Sequence, residues 1–144
     1  MDGDGDPQWR ERQQRAVRAH AAADARRRDG EHAQAEELVA RFTAEATRRG
    51  LRTTRLVAQG YDGRGRYRTG LTGWYVDRAG LRAVAVDGRF YLLTVPSGVR
   101  ARLFGVDVPP ARPPLVVGRG GRDGESIPLA DLLTRGLTAG DDWP

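Results

Sequence analysis

The sequence predicts an α+β domain: an N-terminal amphipathic helix packed on an antiparallel meander sheet of four to six strands, with a short C-terminal helix. Three observations predict it. Within residues 31–49, Ala35, Leu38, Val39, Phe42 and Ala46 recur at three- and four-residue steps, the spacing of one helix face. Residues 71–95, LTGWYVDRAGLRAVAVDGRFYLLTV, bring together apolar residues, aromatics and turn chemistry as no other stretch does. Inside that stretch, Asp87-Gly88 reads as a two-residue type I′ hairpin turn, because Asp-Gly tolerates positive φ at both central positions.

The elements follow in order. Residues 1–7 alternate Asp and Gly and are expected to be disordered. From Gln8 to about Asp29 the chain is Ala, Arg, Gln and Glu, good helix formers with Pro7 placed to open the helix. Trp9, Val17 and alanines are all its apolar face holds, so residues 1–30 are expected to form a polar arm, partly disordered or a marginal helix. Gly30 is expected to interrupt it. The helix 31–49 should then end at Gly50, with Arg48 and Arg49 complementing its dipole.

Residues 53–58 read as a first strand and GYDGRGRYRTG (60–70) as a long flexible loop. Strands are expected at 72–76, 81–86, 89–95 and 99–106, sequential neighbours in one sheet. A two-residue turn at Asp87-Gly88 sets Ala85 opposite Phe90 and Val84 opposite Tyr91, and Trp74 should then meet Ala83. One face collects Trp74, Val76, Leu81, Ala83, Ala85, Phe90 and Leu92, under the helix. The other collects Tyr75, Arg82, Val84, Val86, Arg89, Tyr91 and Leu93. The segment VPPARPPL (108–115) crosses over as an extended connector, and 115–117 can add a last short strand. Ser126 reads as the N-cap of a helix from Ile127 to Arg135, with Gly136 after its end. The expected organisation is an arm at 1–30, a single domain at 31–137 and a disordered tail at 138–144.

At 144 residues the chain is long enough for one core. All 24 basic residues are arginine, and Lys, Asn and Cys are absent, a pattern that GC-rich coding favours. The basic excess is local: residues 51–125 hold thirteen arginines and six acids. Without cysteine there is no disulfide, thiolate nucleophile or thiolate metal ligand. The polar, acidic start and the lack of any long apolar run predict a cytoplasmic protein that does not enter a membrane.

Two surfaces are candidates for binding. Tyr61, Arg64, Arg66, Tyr67, Arg68, Tyr75, Arg82, Arg89 and Tyr91, on loop 60–70 and the mixed sheet face, have the composition of a surface that binds RNA or single strands, since aromatics stack bases and guanidinium groups pair phosphates. GRGGRDG (118–124) is a glycine-rich loop where Arg119, Arg122 and Ser126 could hold an anion. Its spacing fits neither nucleotide fingerprint: a third dinucleotide-type glycine would fall at Asp123, and a Walker A loop needs a lysine. The two histidines, His20 and His32, have no metal-ligand spacing, so no metal, cofactor or catalytic residue is expected.

The stretches GYDGRGRYRTG and GWYVDR, DGRFYLLTVP, and PPLVVGRGGRDGESIPLADLL resemble small uncharacterised proteins of high-GC Gram-positive bacteria. That resemblance implies no activity and no site residue. The function expected from the sequence is that of a non-catalytic interaction or regulatory protein, binding a protein partner or a second copy through its arm and exposed sheet. The alternative is RNA or single-stranded nucleic-acid binding through the Arg/Tyr surface. A small ribonuclease is the enzymatic variant, by analogy of architecture alone.

Overall fold

The computed structural model describes residues 6–118 and 126–143. Its longest element is α1 (Pro7–Arg49), 43 residues and about 64 Å long at 1.5 Å per residue. Asp6 caps it by accepting from the Gln8 amide at 3.0 Å, and Pro7 occupies the first turn. Gly50 ends it in the left-handed region, as the sequence predicts, and the Leu51 amide returns to the Ala46 carbonyl. In the last turn, hydrogen bonds from Arg48 and then Arg49 hold the Glu45 carboxyl down to about 2.

Gly30 does not interrupt α1. A mid-helix glycine costs about 1 kcal/mol, and strong helix formers lie a little further out on both sides, in residues 25–28 and 33–38. The proline-rich connector also spans the position: Arg112 donates to Asp29 at 2.9 Å and to Glu36 at 3.2 Å, while His32 Nδ1 lies 2.9 Å from the Pro113 carbonyl. Ala35, Val39, Phe42 and Ala46 are buried on the face the periodicity marks.

The sheet is built from β1 (Thr54–Gly60), β2 (Arg66–Tyr75), β3 (Arg82–Ala85), β4 (Phe90–Leu92) and β5 (Thr94–Val95), in the order β4-β3-β2-β1-β5. All neighbours are antiparallel except β1 and β5, which are parallel. Because β4 and β5 are parted only by Leu93, the two edges of the sheet belong to one bent strand, and the sheet closes into a small barrel. Leu93 makes the join: its amide donates to Leu81 and its carbonyl accepts from Gln59, both at 2.8 Å.

The hairpin register differs from expectation by one residue. Val84 stands opposite both Phe90 and Trp74, and Ala83 opposite Tyr91 and Tyr75. Among the described residues none other than glycine has positive φ, so Asp87 does not make a type I′ turn. Instead Gly88 bonds back to the Ala85 carbonyl, and the Ala85 amide donates to the Arg89 carbonyl around a three-residue loop. The Asp87 carboxylate secures that loop, accepting from the Arg89 amide at 2.8 Å and the Tyr91 hydroxyl at 2.7 Å. A one-residue slip turns a whole strand over. Val84 therefore joins Trp74, Val76 and Phe90 on the outer face, and Ala83 and Ala85 face the barrel interior, where small side chains suit its tight radius.

Two cores result. The outer one packs α1 and α3 (Leu129–Ala139) on the sheet: Val39 and Phe42 meet Trp74, Val84, Phe90, Leu129, Leu132 and Leu133, with Phe42 edge-on to Trp74 at 5.7 Å between ring centres. The inner one fills the barrel with Leu56, Ala58, Ala83, Ala85, Tyr91, Leu93 and Val108. Gly73 of β2 stands opposite Ala85 of β3 in a close backbone approach. A Cβ there would sit 2.2 Å from the Val84 carbonyl oxygen and 2.6 Å from the Ala85 Cα. Gly73→Ala is therefore expected to lower stability by about 1–3 kcal/mol, the cost of overpacking, read as the urea midpoint. An unchanged midpoint would refute the Gly73–Ala85 pairing.

Four further segments differ from the sequence reading. Half of the expected loop 60–70 is strand, because β2 begins at Arg66 and pairs with β1. The expected strand 99–106 is instead a short helix, α2 (Val99–Phe104), followed by Gly105 at φ 78. Arg, Ala and Leu are good helix formers, and the edge of β2 is met by Val106, whose amide donates to the Arg68 carbonyl at 2.8 Å. Only glycine fits at 105, since a Cβ would lie 2.8 Å from that same oxygen. Beyond the connector, β6 (Val116–Val117) pairs with β7 (Ile127–Pro128), so Ser126 precedes a strand and α3 starts two residues later than expected. Where a frayed tail is expected, α3 runs through Gly136 to Ala139 and a 3₁₀ turn covers Gly140–Asp142. Asp141 accepts from the Arg52 amide at 2.6 Å, and the Trp143 indole donates to the Tyr75 carbonyl at 3.0 Å.

Candidate functional site

One end of the barrel gathers basic and aromatic side chains, and a chain of hydrogen bonds builds it. The β1–β2 hairpin loop closes through the Gly60 amide to the Gly65 carbonyl and the Gly63 amide to the Gly60 carbonyl. Asp62 then accepts from the Arg64 amide at 2.8 Å and the Ser97 hydroxyl at 3.1 Å, which ties this loop to the turn after β5. The Tyr67 hydroxyl accepts from the Gly98 amide at 3.4 Å, and Arg68 Nη2 donates to the Leu103 carbonyl at 3.1 Å. The hairpin loop, the start of β2 and the whole of α2 are thereby one unit. Arg64, Arg66, Arg68, Arg100 and Arg102 are all exposed on it. So are Tyr61, at 71 %, and Phe104, at 78 %.

The nine residues expected to form a nucleic-acid surface do not all lie together. Tyr61, Arg64, Arg66 and Arg68 belong to this barrel end. Tyr67 and Tyr91 are only 3 % and 4 % exposed, and the Tyr75 hydroxyl accepts from the Val57 amide at 2.9 Å. Those rings point into the barrel, so they offer no face to a base. Burial, then the hydrogen bond to Asp87, pushes the Tyr91 hydroxyl up to about 12 and keeps it neutral. Arg82 is half-buried and paired with Asp77 at 3.1 Å. Arg89 is exposed on the β3–β4 hairpin, whose Gly88 faces Thr43 of α1.

The sheet itself offers less surface than the sequence implies. Its inner face is enclosed, and α1 and α3 cover the Trp74 end of its outer face. For the glycine-rich loop, Arg119 and Arg122 lie outside the described residues, and Ser126 is exposed ahead of β7 rather than at a helix N-terminus. Among the described residues no group of three His, Cys, Asp or Glu side chains is placed to hold a metal ion, and no helix is long and apolar enough to cross a membrane.

Sequence reasoning missed Arg100, Arg102 and Phe104 because 99–106 alternates like a strand. The signal available was the pair of glycines, Gly98 and Gly105, bracketing six residues compatible with one helical turn and a half. The second exposed element is the arm, since every described residue from Asp6 to Glu31 is exposed, Trp9 and Val17 among them. No protein-family model, curated protein or solved structure matches this chain.

Proposed function

We propose that this is a non-catalytic interaction protein that docks a protein partner along its N-terminal helix. The observation that carries the reading is an unbroken helix that stays exposed from Pro7 to Glu31, near the end of which Asp29 meets Arg112 of the connector. Most helical stability in proteins comes from the packing of one face rather than from propensity, so a projecting helix gains order from what it packs against. Val17 lies 18 residues, or five full turns, before Ala35, which continues the buried stripe of Ala35, Val39, Phe42 and Ala46 into the arm. Trp9 adds a large aromatic near its tip. Seven arginines against three acids in residues 7–30 favour a partner with an acidic rim.

Removal of residues 1–30 is expected to leave the thermal midpoint of the remaining chain within a few degrees of the parent and to abolish capture of the partner. Trp9→Ala combined with Val17→Asp in the full chain should weaken capture as well, and sedimentation separates a second copy from a foreign partner. Capture that survives both changes would refute the reading.

A further inference from the structure

We infer that the arginine-rich end of the barrel is a binding site for single-stranded nucleic acid, with Tyr61 and Phe104 stacking bases and Arg64, Arg66, Arg100 and Arg102 contacting phosphates. The site is separate from the helical arm and stands on different residues. Its first support is charge. No carboxylate among the described residues pairs with any of these four arginines, whereas Arg82 and Arg112 elsewhere are paired. Asp62, the one acid in the hairpin loop, is already engaged by the Arg64 amide and Ser97.

The second support is the exposure of two aromatic rings on a surface whose backbone is held rigid. Among the four tyrosines, three turn into the barrel, and Tyr61 alone stands out beside the arginines. Phe104 ends α2, and its neighbour Leu103 is fixed by Arg68 through its carbonyl. A rigid platform of exposed rings flanked by unpaired guanidinium groups is the arrangement that binds single strands with little sequence preference. Val99 and Leu103 are exposed on the same helix and would also suit an anionic lipid surface. Across the whole barrel end five exposed arginines, Arg64, Arg66, Arg68, Arg100 and Arg102, outnumber the three large apolar side chains that the six-residue helix exposes, so nucleic acid is the better fit.

The test is a fluorescence-anisotropy titration of the full chain with labelled 20-mers of dT and U, from low to physiological salt. Binding should weaken as salt rises. The triple variant Arg64→Ala, Arg66→Ala, Arg100→Ala should reduce the salt slope by about 2, from about 0.7 per lost phosphate contact. Phe104→Ala and Tyr61→Ala should each weaken binding roughly five- to a hundredfold at unchanged slope. Both rings are exposed, so the thermal midpoints of these two variants should match the parent, which separates lost contacts from lost folding. Absence of binding at low salt overturns the inference. Binding that ignores Tyr61 and Phe104 overturns it too, as does binding to phosphatidylserine vesicles with none to either oligonucleotide. None of these outcomes bears on capture through the arm.

Discussion

Phe90→Ala is expected to lower the free energy of unfolding by about 3–5 kcal/mol, the usual loss for a buried aromatic. Phe90 is fully enclosed between β4 and the two helices, in one cluster with Val39, Trp74, Val84, Leu129 and Leu132. Its surroundings have little freedom to collapse into the space left behind. The Phe90 carbonyl is bonded to the Ala111 amide at 2.8 Å, which fixes the strand to the proline-rich connector, and that connector is fixed to α1 by Arg112. Denaturant unfolding followed by helical circular dichroism and by tryptophan fluorescence gives the value. A loss below about 1 kcal/mol would mean that the helices do not cover this face.

The outer core was legible because both its partners carry strong periodic signals. The α1 stripe of Ala35, Val39, Phe42 and Ala46 has the period of a helix, and Trp74, Val76 and Phe90 alternate as a strand face should. The meander strands β2 to β4 were legible for the same reason. What the sequence hid was decided by single side chains acting at turns. Asp87 is compatible with a type I′ turn, yet its carboxylate gains more as acceptor for Arg89 and Tyr91 at negative φ, and that preference turns β3 over. Residues 99–104 have an alternating pattern and a helix-forming composition at once, and at six residues neither signal outweighs the other.

The candidate site was only half legible, for a related reason. Arg64, Arg66 and Arg68 are close in sequence, so their grouping could be read directly. Their companions come from α2, brought there by long-range bonds such as Arg68 to Leu103 and Gly98 to Tyr67, which composition does not encode. The tyrosines misled because Tyr is equally at home stacking a base or filling a barrel with its hydroxyl bonded. Exposure separates the two roles, and it depends on closure of the barrel. That closure rests on one residue between two very short strands.

Leu93→Ala, at that closure point, is expected to cost about 2–5 kcal/mol, the range for a buried leucine cut to alanine. Leu93 is fully buried, and its side chain packs with Leu56, Ala58 and Tyr91 inside the barrel. Its backbone bonds remain available to alanine, so the loss measures the packing of the inner core rather than the edge pairing. Phe90 lies three residues away but on the opposite side of the same strand, so the two variants probe the two cores through one shared wall. Because β3 and β4 supply side chains to both cores, unfolding of the barrel should carry the helix layer with it. Signals from Tyr67, Tyr75 and Tyr91 inside, and from Trp74 and Trp143 outside, are therefore expected to shift together in Leu93→Ala. A tyrosine transition that precedes the tryptophan one would show instead that the barrel is a separate cooperative unit. The double variant should lose roughly the sum of the two costs, about 5–10 kcal/mol, comparable with the whole stability of a domain of this size. It should be largely unfolded at 25 °C, and a double variant that keeps its folded far-ultraviolet spectrum would refute the two-core account.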